Sequence, residues 1–589
     1  MNSKLNVIPI ETDVLIIGGG LAGCMAGIKA SETEANVTIA EKGNIVRSGQ
    51  AASGIDHTWA YVPPVHGKMG YTLEDLVEDH TQGQAYGFIN KELLYVVAKE
   101  SYNRVLDLER FGLKIRYDDS PLPGKFRIVP QFHSVPSSLN YDGRNIKPKL
   151  ASEVTRRGVN VINRIMMTDL LVTDGHVSGA LGIGTRTGDI YFFKAKAVIL
   201  CTGRSSRLYR SATGTDFNLQ RPAGQTGDGR VMALKAGCRL ISMEFTSPRE
   251  LNIGPYQQSM GAPRSTTWPA GALVNADGKT IIRRTYFTDW EKYLGEGAQK
   301  IDFAKRRARW LNALKAWPSV MESWQRGEGP FYLDLTGGTE EEIKYIEWSM
   351  SSEGKGWLFL RHLKEEGIDL RKDKIEFTPN NAQLGDFGSP GVMVNKNCET
   401  EVKGLFIAGD EIGGFPWSSS QGALGTGWLT GDLAAKYARK QTTFLPVDTE
   451  TLESLIELCS KMLDSKTGVH WKEVERAVQD MMDFYCNGVK TEQTLKRGIE
   501  RIKDVRDNVF LKAENTHELM RCLEVRSIMD NAELVMRASI ERKETRKVPF
   551  EFVRMDFPEQ DDENWFAFLS VMFKDGKFKF SKIPLQHSN

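Results

Sequence analysis

Cysteine is scarce and scattered in this chain of 589 residues: the seven lie at 24, 201, 238, 398, 459, 486 and 522, none in CxxC spacing. That excludes a disulfide framework, a zinc site and an iron–sulfur cluster held within this chain, and no metal-ligand cluster or nucleophilic triad is seen. An excess of one charge is also missing. Lys and Arg number 77 against 76 Asp and Glu, a formal net charge of +1, which gives no footprint for nucleic acid or a polybasic membrane contact. No apolar run approaches the roughly 20 residues that cross a bilayer, and the opening residues lack a basic-then-apolar signal pattern. A cytoplasmic protein that does not span a membrane is the expectation. Internal repeats and low-complexity tracts are absent as well. The length predicts about three or four units rather than one core.

Glycine, by contrast, is placed with purpose. "DVLIIGGGLAGCMAGIKA" (13–30) reads as a buried strand, a glycine turn and a helix from Leu21 to about Ala30, with Gly18, Gly20 and Gly23 in GxGxxG spacing. In such a turn the first glycine permits the tight bend, the second lets a pyrophosphate approach the backbone, and the third lets helix pack on strand. "NVTIAEKG" follows as a second strand ending in Glu41 and Lys42, the place for a carboxylate that accepts ribose hydroxyls. Dinucleotide binding follows from this pattern, and the choice between FAD and NAD rests on what recurs downstream. An apolar strand ends in Thr202 and Gly203. Gly227, Asp228 and Gly229 precede a further helix, and "VKGLFIAGDEIGG" (402–414) closes on Gly409 and Asp410.

With these pieces and the closing "RASIERKETRKVPFEFVRMDFPEQDDENW", the chain resembles the flavoprotein subunits of the succinate dehydrogenase/fumarate reductase family. L-aspartate oxidase and the adenylylsulfate reductase alpha subunit belong to that family too. The resemblance implies an α/β fold: a Rossmann-like FAD-binding domain from 1–245 and 375–445, an α+β capping domain inserted at 246–374, a helical domain at 446–540 and a C-terminal segment at 541–589. In the helical part, Leu495, Ile499, Ile502 and Val505 recur at helical spacing, a packing stripe. The loop "VRSGQAASGIDHTW" (46–59) corresponds to the one that wraps the flavin, implicating Ser48, Gly49, Ala52 and Gly54. Gly49 stands where many relatives carry a flavin-linked histidine, so FAD is expected to be non-covalent, with His57 the alternative attachment point. Met167 falls at the family's adenine contact. The stretch 418–431 reads as a turn whose Ala423 and Leu424 amides face the flavin.

The family's dicarboxylate contacts are not matched. "MEFTSPRELNIGP", "PNNAQLGDFGSPG" and Trp417-Ser418-Ser419 stand where histidines and an arginine are expected. The closer likeness is to the adenylylsulfate reductase branch, through "ASGIDHTWAY", "MEFTSPRELNIGPYQQSMGAP" and "LNYDGRNIKPKLASE", which suggests Asp56, Arg249 and Arg144 at the substrate face. Asp56 and Arg144 depart from that branch's asparagine and glutamate, and a guanidinium in place of a carboxylate inverts the local charge, so a different substrate is implied. Arg264 is a further anion clamp, His57 and His133 are acid/base candidates, and Gln383 and Tyr86 are weaker ones. The leading expectation is an FAD-dependent oxidoreductase passing electrons between a small anionic substrate and a separate iron–sulfur protein. The alternatives are a fumarate reductase-like enzyme of an organic acid, an oxidase like L-aspartate oxidase, and a non-catalytic FAD-binding scaffold.

Overall fold

The structure is a computed structural model. It describes residues 5–585 apart from 84, 119, 121, 130–134, 211–215, 218–221, 247–248, 254–270, 283–322, 324–325, 352–353, 384–388, 417–418, 448, 487–488, 548–549 and 551. Seven strands form the main sheet: β1 (Val7–Ile17), β2 (Val37–Glu41), β3 (Asn160–Asn163), β4 (Ile165–Thr173), β5 (His176–Gly184), β6 (Ile190–Leu200) and β7 (Leu405–Ile407). Their order is β3-β2-β1-β6-β5-β4, with β7 also on β6. β6 is shared lengthwise. Its first half pairs antiparallel with β5, and its last residues, Val198 to Leu200, pair parallel with β7. β1, β2, β3 and β7 all run parallel to β6 or to each other, so their carboxyl ends open on one edge. In sheets of this kind ligands bind beyond those ends.

β1 explains itself locally. Residues 7–11 alternate between exposed and half-buried, whereas Val14 to Ile17 are buried in the parallel centre of the sheet, where both faces are covered. Helix α1 (Leu21–Ala30) is buried almost all round because β1, β2 and the helices Ile146–Arg156 and Ser419–Arg439 enclose it. Helix α2 (Asp228–Lys235) covers the sheet near β4. Helix α3 (Ser419–Arg439) crosses α1 so closely that side-chain atoms added to Gly427 and Gly431 would lie 2.3 and 2.4 Å from the carbonyl oxygens of Ala22 and Ala26.

The inserted domain is an antiparallel sheet in the order Arg249–Ile253, Ile375–Gln383, Phe331–Asp334, Ala272–Val274, Thr280–Ile282, with its own small core that includes Phe331, Leu333, Ile343 and Ile346. Ile375–Gln383 is hydrogen-bonded inside this sheet, between Arg249–Ile253 and Phe331–Asp334. The cap touches the main body where Arg127 lies 4.1 Å above the Tyr117 ring and 4.5 Å from the Trp348 ring. Helices Glu450–Asp464, Trp471–Tyr485, Glu492–Asn508 and α4 (Thr516–Glu541) follow, with Leu495, Ile499 and Ile502 buried. The last segment returns as a hairpin, Ala567–Lys574 and Lys577–Pro584, whose Asp575 and Gly576 both have positive φ as a tight hairpin turn requires. It joins Leu240–Ile241 and Gly391–Val392, over a cluster of Phe88, Phe245, Phe550, Phe552 and Phe568.

Candidate cofactor and substrate site

At the carboxyl end of β1 the glycines act as their spacing requires. Gly18 has φ +100°, and a side chain there would sit 2.5 Å from the Cys201 carbonyl oxygen. A methyl on Gly23 would lie 1.9 Å from the Gly18 oxygen. Gly20 caps α1 with no side-chain hydrogen bond, and nothing lies nearer to its missing methyl than the Gly49 Cα at 4.0 Å. Among the described residues no protein acceptor meets the amides of Gly20, Leu21 and Ala22, which leaves a helix N-terminus with unpaired donors facing outward. This is a cradle that fits a diphosphate.

The surrounding candidates gather on it unequally. Glu41, nearly buried, accepts from the amides of Gly19 and Gly43, both at 2.6 Å, so each carboxylate oxygen keeps a further acceptor site. The Ser48 hydroxyl reaches the Gly19 carbonyl at 3.3 Å, and Gly49, with φ +76°, lies against Gly20. The Ala52 carbonyl is held by Arg47 at 3.1 Å, and Gly54 turns the loop with φ +107°. Thr202 and Gly203 end β6. The Thr202 hydroxyl donates to Glu411 and sits where a side chain on Gly229 would be, the steric reason for a glycine there. Gly409 donates its amide to Thr426 at 2.9 Å, and Asp410 pairs with Arg204 at 3.2 Å. Lys42 and Asp228 do meet, at 2.8 Å, and Lys42 also holds Glu524 at 2.7 Å. Its ammonium is therefore spent on carboxylates. Met167 is buried in β4, opposite Gly182.

One expectation is corrected. The 418–431 stretch is no turn: from Ser419 it is the start of α3, and Ala423 and Leu424 lie beyond its opening residues with their amides in the helical hydrogen-bond ladder. Among the described residues no acceptor outside the helix meets the amides of its opening residues, 419–421. Arg144 is half exposed and forms a two-pronged pair with Asp142, at 3.0 and 2.6 Å, and its carbonyl accepts from Arg47 at 3.2 Å, the side chain that also holds Ala52.

Asp56 and His57 do lie at a buried junction. The Asp56 carboxylate is 2.6 Å from His57 Nδ1, the Tyr141 amide donates to the Asp56 carbonyl at 2.9 Å, and the Ser420 hydroxyl donates to the His57 carbonyl at 3.2 Å. This ties the pair to the opening of α3. Burial pushes the Tyr141 phenol beside them up from its usual range. Arg249 and Gln383 face each other as backbone partners at the root of the cap sheet; their side chains lie outside the described residues, as do His133 and Arg264. Tyr86 is half-buried, with a left-handed φ of 50°.

The sequence reading missed His80. Its ring is 5.0 Å from Trp59 and its Nε2 is 3.2 Å from the Pro416 carbonyl, so it buttresses the strand that carries His57. Nothing in the local pattern of 73–83 marks it except a histidine on the apolar side of a helix. Burial pushes its pKa down to about 4. The folded state therefore binds fewer protons than the unfolded one between pH 4 and 6.5, and its stability falls on acidification through that window. The expected loss is roughly 3 kcal/mol at most, with buried His66, also pushed down by burial, adding in the same direction. Urea midpoints measured across the window should show the slope, and His80→Gln should flatten much of it.

A glycine cradle at the carboxyl ends of parallel strands, an acidic residue on β2 and an inserted cap define a dinucleotide-binding redox protein. The pattern of the FAD binding domain family matches residues 13–424, and that of the fumarate reductase flavoprotein C-terminal domain matches 475–589. The chain belongs to the succinate dehydrogenase/fumarate reductase flavoprotein family: it is an FAD-dependent oxidoreductase and FAD is its cofactor. It is 26% identical to one subunit of the fumarate reductase (CoM/CoB) of Methanothermobacter marburgensis, over 94% of this chain and 96% of that one. The structure of adenylylsulfate reductase from Archaeoglobus fulgidus superposes with a TM-score of 0.82 at 25% identity, covering 100% of this chain and 97% of that one. E. coli quinol fumarate reductase shares the fold, with a TM-score of 0.76 at 19% identity over 98% and 97%. No helix among the described residues is long and apolar enough to cross a membrane.

Proposed function

We propose that this chain is the flavoprotein subunit of an enzyme that moves electrons between a small anionic substrate and a separate iron–sulfur protein. One observation carries the reading: the loop whose Gly49 lies against Gly20 of the cradle runs on to Asp56 and His57, which are tied to the opening of α3, while the sequence lacks the histidines and arginine of a dicarboxylate site. The likeness to adenylylsulfate reductase supports an anion other than a dicarboxylate as substrate.

Bound non-covalently, FAD supplies the two-electron chemistry. The residues of this chain bind and orient. The amides of Gly20 to Ala22 hold the diphosphate at the positive end of α1, and Glu41 accepts the ribose hydroxyls. Lys42 and Asp228, Thr202 and Glu411, and Arg204 and Asp410 brace the strand ends around the cradle. The unpaired amides at 419–421 stabilise negative charge on the ring's edge. Arg249 clamps the substrate anion, and His57, held by the Asp56 carboxylate at Nδ1, keeps Nε2 for proton exchange with substrate.

Purification of the native complex, with assay of iron and acid-labile sulfide, is the test. Both are expected to co-purify with this chain in constant ratio, and acid precipitation should release all the flavin. A chain that turns over alone with NADH, or whose reduced flavin is reoxidised rapidly by air, would overturn the reading.

A further inference from the structure

Lys147 has no part in the chemistry above, yet its surroundings are unusual. It lies in the first turn of the helix Ile146–Arg156 and is wholly buried. A buried ammonium is costly unless a counter-charge meets it. None of the ion pairs among the described residues involves it. Its Nζ donates instead to the Gly19 carbonyl oxygen and lies 3.2 Å from the Cys24 sulfur.

That carbonyl is the centre of a convergence. The Ser48 hydroxyl at 3.3 Å and the Cys24 thiol at 3.4 Å also reach it, while Glu41 takes the Gly19 amide at 2.6 Å. Both ends of Gly19 are thus held from within the protein. The peptide joining Gly19 to Gly20 is planar and trans, so its N–H points opposite to its C=O. With the carbonyl drawn inward by three donors, the Gly20 N–H is turned outward, into the cradle where no acceptor among the described residues waits. A peptide between two glycines has little steric resistance to turning over, because neither residue has a Cβ. The side chains must supply that resistance.

We propose that Lys147 is a positioning residue for the cofactor diphosphate: it locks the Gly19–Gly20 peptide with its amide toward the phosphates, and its ammonium is the buried counter-charge that the diphosphate completes. The proposal rests on the seating of FAD at residues 18–23 and adds to it a residue of the neighbouring helix that touches no phosphate in the arrangement described. It makes an unusual demand. The free protein carries an unpaired buried charge, so removing that charge should not weaken it, whereas binding of a diphosphate should suffer.

Lys147→Met, close in shape and uncharged, separates the two. In protein stripped of FAD its thermal midpoint is expected at or above that of the wild type. The Kd for FAD, read from flavin fluorescence on reconstitution, is expected to rise ten- to a hundredfold. ADP, measured by competition, should lose affinity by a similar factor, while adenosine should bind as it does to wild type. A lower midpoint of the stripped protein with FAD and ADP affinities intact would show a merely structural lysine and overturn the proposal, as would equal losses for adenosine and ADP. Should Lys147→Met fail to fold, Lys147→Gln keeps a donor to the carbonyl without the charge; a fivefold or greater loss for FAD and ADP supports the counter-charge, and unchanged affinities defeat it. Failure of ADP to compete with FAD on the wild-type protein would instead sink the seating on which the proposal stands.

Discussion

Gly23→Ala is expected to yield protein almost without flavin. The added methyl would fall 1.9 Å from the Gly18 carbonyl oxygen and 3.0 Å from its carbon. Both are backbone atoms at the end of a buried strand and cannot swing aside, so α1 must lift from β1 by an ångström or more. Overpacking of this sort in a rigid core costs about 3 kcal/mol or more, and it displaces the very amides proposed to hold the phosphates. A roughly tenfold or greater fall in bound FAD follows, read from the visible absorption of purified protein, together with a lower urea midpoint. Gly20→Ala is the informative contrast. Its φ of −66° suits alanine and its methyl would meet no protein atom nearer than 4.0 Å. The stripped protein should therefore keep its stability while FAD binds more weakly, because only the ligand competes for that space. Equal loss of stability in both variants would refute the division of labour between the two glycines.

Glu524→Ala is expected to cost about 3–5 kcal/mol, the range for breaking a buried ion network by removing one partner. Glu524 is fully buried on α4 and gathers Arg207, Lys42 at 2.7 Å and Arg521 at 2.7 Å. Arg207 is itself buried and bonded to Glu475, 2.8 Å from its Nε. Without Glu524, three cations would be left with Glu475 and Asp228 alone. The cations hold the Glu524 carboxyl well below the usual carboxylate range despite its burial. A depressed carboxylate contributes stability that is present above its unfolded pKa and lost only as pH falls through the folded value. The gap between wild type and variant should therefore stay constant from about pH 6 to 9, which urea titrations at three pH values would check. Because Lys42 follows Glu41 directly, looser flavin retention is expected to accompany the loss.

Much of the cofactor half of the site was legible because it is local. Gly18, Gly20, Gly23 and Glu41 belong to one β-turn-α-β unit, where residue spacing dictates which backbone can bend and which can be approached. The 422–431 glycines misled for the opposite reason. Their abundance looks like a turn, yet Gly427 and Gly431 are four apart on a helix and exist to let α3 lie against Ala22 and Ala26, some 400 residues away in the chain. The pairing of Ile375–Gln383 with Arg249–Ile253 and Phe331–Asp334 was not legible either, because the partners lie far apart in the chain and no nearby residue announces them.

Sequence by itself determined the family, the cofactor and the glycine turn proposed to receive it, since these depend on short-range rules of backbone geometry that glycine and a single carboxylate express. Only the tertiary structure decided where charge goes. It paired Arg144 with Asp142, spent Lys42 on Asp228 and Glu524, buried Lys147 against Gly19 and placed His80 beneath Trp59. An ionisable side chain acts through whatever the fold brings within a few ångströms of it, and those neighbours come from distant parts of the chain.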